Sequence, residues 1–365
     1  MVHWTFAILL LWLGGSNLIN GAGVYATAMG ILFVLAILAC VVLHEFGHAL
    51  AAKRYGIKTP EITLLPIGGV AQLERIPEDP KQELIIALAG PMVNFVIAIA
   101  LLAMLMMTGG LTQPETGLTA VGANFGLSLL LVNVILAAFN MIPAFPMDGG
   151  RVLRAFLATQ MSHVKATEIA ANVGQIIAIG FGIFGLFYNW FLVFVALFIY
   201  VGAQGESQMV LTRSLLKGVK VRDAMMTRFV AVAPHDPLGI VVEELLAGDQ
   251  IEFPVVDSGR LLGIVRKREL FQAISDGKIT APASSVMNTD CHPVADTDLL
   301  QRTFENMKLA TCETLPVFRN DRLVGLLTQS NIAEWLMVQT AKRDATEANL
   351  DLHHKVIGGG KTVHG

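Results

Sequence analysis

The chain has 365 residues, of which 54% are hydrophobic and only 15% are charged. A mean hydropathy of +0.60 argues against a soluble enzyme of this length and is typical of a membrane protein. The net charge is -3, and the sequence shows no basic face interleaved with aromatic residues, so we expect no nucleic-acid partner. Long apolar runs fill residues 1–210, whereas charged residues become frequent after Lys217. The composition therefore predicts a membrane part followed by a soluble part.

The cysteines and the N-terminus indicate the cellular setting. Cys40, Cys291 and Cys312 form neither the pattern of a disulfide-rich domain nor that of a paired-cysteine zinc site. We therefore expect the soluble part to lie in a reducing compartment. The apolar N-terminus has no basic region and no small-residue cleavage site, which predicts a retained transmembrane helix rather than a signal peptide.

Apolar segments of about 20 residues, the length that crosses a membrane, occur about six times, near 4–20, 25–52, 81–107, 119–141, 166–187 and 189–205. Polar interruptions in the first segment and a very short turn before the last leave five or seven spans open. Basic residues occur only in alternate connections: Lys53, Arg54, Lys58, Arg75 and Lys81, then Arg151, Arg154 and Lys165, then Arg213, Lys217 and Lys220. This asymmetry predicts that the N-terminus and the whole C-terminal half are cytoplasmic.

Two histidines and a glutamate interrupt the second apolar segment near its end, in the run ILFVLAILACVVLHEFGHALAA at 31–52. Ionisable groups inside a membrane are costly, and they indicate a functional site by default. His44 and His48 are four residues apart on one helical face, where both rings can bind one zinc ion. Glu45 lies beside them and suits a general base. A helix end at which these residues only cap and pair is the structural alternative.

Zinc in enzymes usually has a third protein ligand. The best candidate is Asp148, which lies between Pro143 and Pro146 on one side and Gly149 and Gly150 on the other. Non-helical backbone at membrane depth occurs only where it lines a cavity or is buried in protein. The spacing alone leaves an ordinary Asp-Gly turn at the membrane surface equally open.

The two segments HEFGH at 44–48 and NMIPAFPMDGG at 140–150 together resemble the paired motifs of the site-2 protease family of intramembrane metalloproteases. The resemblance implies one Zn2+ per chain, bound by His44, His48 and Asp148, with Glu45 as the general base. It also implies that Asn140 helps to hold the substrate backbone or the oxyanion, although Asn140 equally suits a helix end before a proline-rich break.

Two further segments fit the same family. The segment ITLLPIGGVAQLE at 62–74 resembles its membrane-associated β-hairpin, whose edge would let an extended substrate add a strand beside Gly68 and Gly69. The segment ALAGPMVNF at 87–95 resembles its Gly-Pro-x-x-Asn helix, in which Asn94 is a candidate substrate-binding residue. A surface hairpin and close helix packing at Gly90 are the alternatives.

The soluble part contains an internal repeat with a constant offset of 62 residues, which pairs Met225 with Met287, Val232 with Val294, Asp236 with Asp298, Pro254 with Pro316 and Gly263 with Gly325. A fixed offset indicates duplication. Each copy reads as a short strand, a helix, two strands and a second helix. The repeats at 221–276 and 283–338 look like a tandem pair of CBS domains, which implies adenine-nucleotide clefts between the copies and allows a homodimer through the pair.

The expected ribose-binding signature after the glycine strand is Thr or Ser, two residues, then Asp. The second copy has Thr328 and Asn331, whereas the first has Arg266 and Glu269. Thr328 and Asn331 are therefore the candidate nucleotide-binding residues, with a structural or dimerising role for the pair as the alternative. Asn331 lacks the charge-assisted bond of a carboxylate.

The predicted fold is thus an α-helical polytopic membrane domain at 1–210 with a β-hairpin, a linker at 211–220, an α+β tandem CBS pair at 221–338 and a disordered polar tail at 339–365. The resemblance implies cleavage of a membrane-anchored protein, such as an anti-sigma factor or another transcriptional regulator, within or near its transmembrane segment. A CBS-regulated ion or metal transporter is the alternative. A transporter predicts polar residues along several spans and a repeat between its halves, and neither is visible.

Overall fold

The computed structural model describes residues 4–21, 23–58, 61–65, 68–72, 77, 79–108, 125–307 and 312–358. The chain forms two compact units, Met1–Val210 and Leu211–Gly365. In its described residues, the first unit is built of helices and one pair of strands, and the second combines short strands with helices.

The helices of the first unit follow its apolar segments closely. They are α1 (Thr5–Ile19), α2 (Gly23–Arg54), α3 (Pro80–Thr108), α4 (Phe125–Asn140), α5 (Asp148–Ala158), α6 (His163–Tyr188) and α7 (Trp190–Leu216). Many of their large apolar side chains are exposed, including Leu11, Phe95 and Phe194. Such a surface suits a lipid environment and would not be stable in water.

Within the described residues, four of these helices are long and apolar enough to cross a membrane, namely α2, α3, α6 and α7. The apolar helices α1 and α4 have 15 and 16 residues. At 1.5 Å per residue α1 reaches only ~22 Å, which is short of a hydrocarbon core about 30 Å thick. Helix α4 is described only from Phe125 onward. The predicted count of about six spans is therefore not confirmed. Residues 109–124, which include the start of the predicted fourth span, lie outside the described part of the chain.

The predicted β-hairpin is present. Strands β1 (Glu61–Leu65) and β2 (Gly68–Gln72) pair antiparallel, with Leu65 opposite Gly68. Strand β2 also contacts α2. The hairpin therefore lies beside the helix that carries the HEFGH motif.

The proline-rich segment before α5 folds back on the start of that helix. A Cβ at Gly149 would collide with the Ile142 carbonyl oxygen, and one at Gly150 would lie 2.6 Å from the Phe145 nitrogen. On the other side of the segment, a Cβ at Gly202 of α7 would lie 2.7 Å from Pro146 Cδ. Glycine is required at these positions because the backbones approach too closely for a side chain. The packing fixes the position of Asp148, the first residue of α5.

The second unit contains two copies of one structural pattern. The first copy consists of α8 (Leu238–Ala247), β3 (Phe253–Asp257), β4 (Arg260–Val265) and α9 (Lys267–Ser275). The second consists of β5 (Val294–Ala295), α10 (Leu300–Met307), β6 (Thr314–Arg319), β7 (Arg322–Thr328) and α11 (Gln329–Gly358). The order of elements agrees with the CBS pattern predicted from the repeat, except that the first short strand of the first copy is reduced to a single bridge between Val232 and Val255.

The strand pairing repeats with the same offset as the sequence. Val255 pairs with Gly263 in the first copy, and Val317 pairs with Gly325 in the second. The register shifts directly after each of these valines, at Val256 and at Phe318. Equivalent irregularities at equivalent positions support the duplication, because β-bulges are specific features of a fold.

Each copy also contributes a segment to the other. Met226 bridges Leu326 of the second copy, and Asn288 bridges Ile264 of the first. A Cβ at Gly263 would lie 2.8 Å from the Asn288 carbonyl oxygen, and one at Gly325 would lie 2.8 Å from that of Met226. The repeated glycine is therefore explained by the close approach of the crossing segment.

The structure contains a disulfide that the cysteine count did not predict. Cys291 and Cys312 form a disulfide with a Cα–Cα distance of 5.6 Å, and the remaining cysteine, Cys40, is buried and free. A separation of 21 residues matches no sequence pattern, and the pair meets because Cys312 leads directly into β6. Disulfides are typical of oxidising compartments, so the cysteines do not support a reducing one.

The predicted disordered tail is also corrected over most of its length. Helix α11 continues through Gly358. Its later part, with AKRDATEANL at 341–350, is polar but rich in good helix formers, which favour a helix without burial. Residues 359–365, the end of the predicted tail, lie outside the described residues.

Candidate metal centre

Helix α2 brings His44 and His48 to one face, one turn apart, as the sequence predicts. Their rings meet edge to face with centroids 4.8 Å apart, and both residues are buried. The Nε2 atoms of the two rings lie 3.1 Å apart. The i, i+4 spacing therefore produces two convergent nitrogen atoms.

Asp148 completes the cluster from the start of α5. Its Oδ2 atom lies 3.1 Å from the Nε2 atom of each histidine. Asp148 is also buried. The turn of Pro and Gly residues at 143–150 thus places a carboxylate against α2 rather than at an exposed loop.

The Nδ1 atoms of both histidines are already hydrogen-bonded within the protein. His48 Nδ1 lies 2.7 Å from the backbone carbonyl oxygen of Ile86, and His44 Nδ1 lies 2.8 Å from Asn94 Oδ1. A carbonyl oxygen only accepts, so each Nδ1 carries the proton and donates it. In a neutral ring, each Nε2 then presents a lone pair toward the other and toward Asp148.

Three hydrogen-bond acceptors that converge within 3.1 Å of one another repel each other unless a cation lies among them. Two neutral imidazole nitrogens and one carboxylate oxygen are a common ligand set for catalytic zinc. The partners at Nδ1 are the outer contacts that fix the orientation of such ligands. The residues therefore fit a zinc ion, and this is the one set of three metal-binding side chains found within the described residues.

Helix α3 approaches the cluster through glycine. A Cβ at Gly90 would collide with His48 Nε2 and lie 2.7 Å from His44 Nε2. Similarly, a Cβ at Gly47, inside the HEFGH motif, would lie 2.7 Å from the Ala89 carbonyl oxygen. Gly90 therefore lets α3 pack closely against the histidines of α2, where any larger residue would displace the predicted metal ligands.

Glu45 follows His44 on α2 and is half-buried. Its carboxylate has no hydrogen bond within the described part of the chain, in contrast to the two histidines. A carboxylate without a structural partner, adjacent to the cluster, is available to exchange a proton with water.

The other predicted site residues occupy varied positions. Asn140 is the last residue of α4 and is half-buried, and Gly68 and Gly69 begin β2. Asn94 is 1% exposed and is bonded to His44, and its Nδ2 donates to Asn133 Oδ1 at 3.4 Å. Asn94 therefore contacts a predicted metal ligand, and its substrate-binding role stays a prediction.

Sequence reasoning missed the contributions of Ile86, Gly47 and Asn133. The Ile86 contact is made by the backbone and has no side-chain signal. Gly47 and Asn133 each gave a signal in the sequence. Gly47 is a glycine inside the HEFGH motif, and Asn133 is an amide inside an apolar helix.

The predicted nucleotide-binding residues meet in the second unit. Thr328 and Asn331 line a cavity of about 590 Å³, and Thr328 Oγ1 donates to Asn331 Oδ1 at 2.8 Å. Glu252 also lines it; burial raises the pKa of this carboxyl, and its Oε2 has no partner among the described residues. In the first copy, partial burial alone would raise the pKa of Glu269, but the Arg266 guanidinium beside it holds that pKa below its usual range.

Comparison with known proteins agrees with both halves of the sequence reading. The profile of peptidase family M50 matches residues 32–123 and 116–181. The CBS domain profile matches 221–276 and 283–338, the two repeat ranges predicted from the constant offset.

Full-length relatives share both parts. The chain is 34% identical over 347 residues to a zinc metalloprotease of Methanocaldococcus jannaschii, with 94% of each chain covered. It is 29% identical over 367 residues to Rip3 of Mycobacterium tuberculosis, with 92% of this chain and 90% of that protein covered. A solved structure of the site-2 protease from Methanocaldococcus jannaschii is 40% identical, covers 56% of this chain and 89% of its own, and has a TM-score of 0.42. The chain therefore belongs to peptidase family M50, the site-2 protease family, and is a multi-pass membrane metalloprotease with a tandem pair of CBS domains.

Proposed function

We propose that this protein is an intramembrane zinc metalloendopeptidase that cleaves a membrane-anchored protein within or near its transmembrane segment. The observation that carries the proposal is the convergence of His44, His48 and Asp148 beside Glu45 on α2, one of the four candidate spans. His44, His48 and Asp148 would hold one zinc ion per chain. When bound, zinc supplies Lewis-acid chemistry, which lowers the pKa of water and polarises a carbonyl group.

The chain's own residues supply the remaining steps. Glu45 accepts a proton at its carboxylate from the attacking water and transfers it to the nitrogen of the leaving amine. Asn94 and the Ile86 carbonyl hold the two imidazole rings in their metal-binding tautomer. Asn140, at the end of α4, is proposed to donate a hydrogen bond to the substrate carbonyl.

Substrate binding is proposed at the β-hairpin. The edge of β2 at Gly68 and Gly69 would pair with an unwound substrate segment, because a hairpin edge offers backbone hydrogen bonds to an added strand. Hairpin contact with α2 supports this proposal, since it brings the edge close to the motif helix. A regulatory protein with a single span, such as an anti-sigma factor, is the proposed class of substrate.

Cleavage of a single-span reporter tests the function. Purified protein in detergent should cut a reporter that carries different tags at its two ends. A zinc chelator should abolish cleavage, because it removes the ion that His44, His48 and Asp148 would hold. Added zinc should restore the activity. Mass spectrometry of the products should place the cut within or beside the transmembrane segment.

The matched control is the same reporter with its tags intact but its apolar segment replaced by a polar sequence, which should remain uncut. Cleavage that persists in chelator, or metal-dependent ion flux without any cleavage in proteoliposomes, would contradict the protease and favour the alternative transporter.

We propose that the N-terminus and the CBS pair face the cytoplasm. The alternating basic residues support this orientation, although Arg154 is buried in an ion pair and does not belong to an exposed loop. The Cys291–Cys312 disulfide points the other way. The basic residues recur in three connections, whereas the disulfide is a single link, so the cytoplasmic orientation has the broader support. In a cytoplasmic module, the disulfide would be redox-sensitive. A homodimer through the CBS pair stays a prediction.

We also propose that an adenine nucleotide binds the cavity at Thr328 and Asn331 and alters protease activity. The cavity volume of about 590 Å³ supports a ligand of nucleotide size. The charged residues that line it are Asp223, Asp249, Glu252, Glu334 and Arg228. Carboxylates outnumber the guanidinium, so each added phosphate should weaken binding.

Isothermal titration of the full-length protein with AMP, ADP and ATP measures this effect. We expect micromolar or weaker affinity, on the order of -8 kcal/mol or less favourable, decreasing from AMP to ATP. Modulation of cleavage further requires different affinities for two conformations. Thr328→Ala should weaken binding, whereas exposed Ser258→Ala should not. Absence of heat at millimolar nucleotide would leave the CBS pair with a structural role.

A further inference from the structure

A second group of buried charges lies in the first unit, separate from the metal ligands. Arg154 of α5 is 1% exposed. Its Nε donates to Glu83 Oε1 at 2.7 Å, and its Nη1 donates to Glu206 Oε1 at 2.7 Å. His163 Nε2 lies 3.5 Å from the second Glu83 oxygen, and the guanidinium lies over the Phe145 ring. Helices α3, α5 and α7 therefore meet at one guanidinium, and α6 joins the group through the approach of His163 to Glu83.

The ion pair joins α5, which carries one predicted metal ligand, to α3, which contacts the other two. Arg154 lies on α5, which begins with Asp148. Glu83 lies on α3, whose Ile86 carbonyl and Asn94 side chain orient His48 and His44. The distance between the carboxylate ligand and the imidazole ligands thus depends on how α5 sits against α3.

Stability alone is a poor explanation for this cluster. Removing two charges from water costs more than many buried ion pairs return, and well-packed apolar residues often stabilise a fold as well or better. A guanidinium does offer what apolar packing lacks, because its planar donors fix direction as well as distance. The buried ion pair therefore indicates a constraint on the geometry of α5 and α3 rather than a gain in stability.

We propose that Arg154 is a positioning residue, which sets Asp148 at bonding distance from the metal by tying α5 to Glu83 of α3 and Glu206 of α7. The proposal rests on the proposed zinc site. It assigns to Arg154 no contact with substrate or with the metal. Its predicted effect is on metal affinity and on the rate of the chemical step, because both depend on the exact place of the third ligand.

The test compares full-length wild type with Arg154→Met and Arg154→Lys in detergent. For Arg154→Met, competition with a chromogenic chelator should show at least a tenfold loss of zinc affinity, comparable to the ~10–100-fold cost of losing an outer-shell contact. The visible absorption of the Co2+-substituted protein should change, kcat should fall and KM should stay constant. Arg154→Lys keeps the charge and one bond, and should recover part of the affinity.

Thr27→Ala is the matched control, since it removes a buried hydrogen bond between Thr27 and the Gly23 carbonyl of α2 and should leave zinc affinity unchanged. If Arg154→Met does not fold, Arg154→Lys and Glu83→Gln provide the measurement. The proposal is overturned if folded variants keep zinc affinity, Co2+ spectrum and kcat within twofold of wild type, even if their melting temperature falls. Wild-type protein that binds no zinc would instead overturn the proposed function itself.

Discussion

Replacing Glu45 by Gln is expected to abolish reporter cleavage while zinc remains bound. The amide has the shape of the carboxylate but cannot accept a proton from water. Loss of general-base catalysis typically costs about 10²–10⁴-fold in rate. The contacts among His44, His48 and Asp148 do not involve Glu45, so their mutual distances of 3.1 Å should not change. Metal analysis should therefore give one zinc per chain for the wild type and for Glu45→Gln.

The measurement pairs initial cleavage rates with zinc content on the same preparations. Glu243→Gln, at an exposed position of α8, makes the same chemical change far along the chain and should leave both quantities unchanged. A Glu45→Gln rate within tenfold of wild type would remove Glu45 from the mechanism and require another base.

Replacing Asp148 by Ala is expected to lower zinc content as well as activity. The change removes one of three protein ligands and leaves only the two histidines of α2. Because loss of an outer-shell partner alone costs about 10–100-fold in metal affinity, loss of a direct ligand should cost on the order of 100-fold or more. Chelator competition followed by metal analysis of the purified protein measures the effect.

Asp79→Asn is the control for this experiment. Asp79 accepts a hydrogen bond from the Lys81 backbone N–H before α3 and makes no contact with the histidines in the structure. Its substitution should leave zinc affinity unchanged. Unchanged affinity in Asp148→Ala would make Asp148 a turn residue, and the third ligand would have to be sought elsewhere.

The fold was predictable where a pattern is local or strictly repeated. The constant offset of 62 residues predicted the duplicated unit, and the paired glycines Gly263 and Gly325 recur at equivalent crossings. The number of spans was less predictable, because hydropathy does not report where a helix ends: α1 has 15 residues and ends at Ile19. The helical extension of α11 was missed for the opposite reason, since a polar sequence can remain helical without burial.

The part of the candidate site that lies on α2 was predictable from the sequence. His44, Glu45 and His48 share one helix, and the spacing of a helix is set by its backbone. The assignment of Asp148 as a ligand required the family resemblance, because a separation of 104 residues along the chain does not predict whether two residues are close in space. The contact of Asn94 with His44 was not predictable, since its sequence position does not reveal that its oxygen faces this histidine.

The sequence by itself determined the chemical types at the site, the apolar character of the helix that carries them and the two-copy soluble module. All three follow from composition, helical period or repetition, which are properties of neighbouring residues or of a fixed offset. Tertiary structure alone decided three contacts. These are the approach of Gly90 to the histidines, the ion pairs of Arg154 with Glu83 and Glu206, and the disulfide between Cys291 and Cys312. These contacts join segments whose separation along the chain carries no geometric information, so they exist only once packing has brought the helices and strands together.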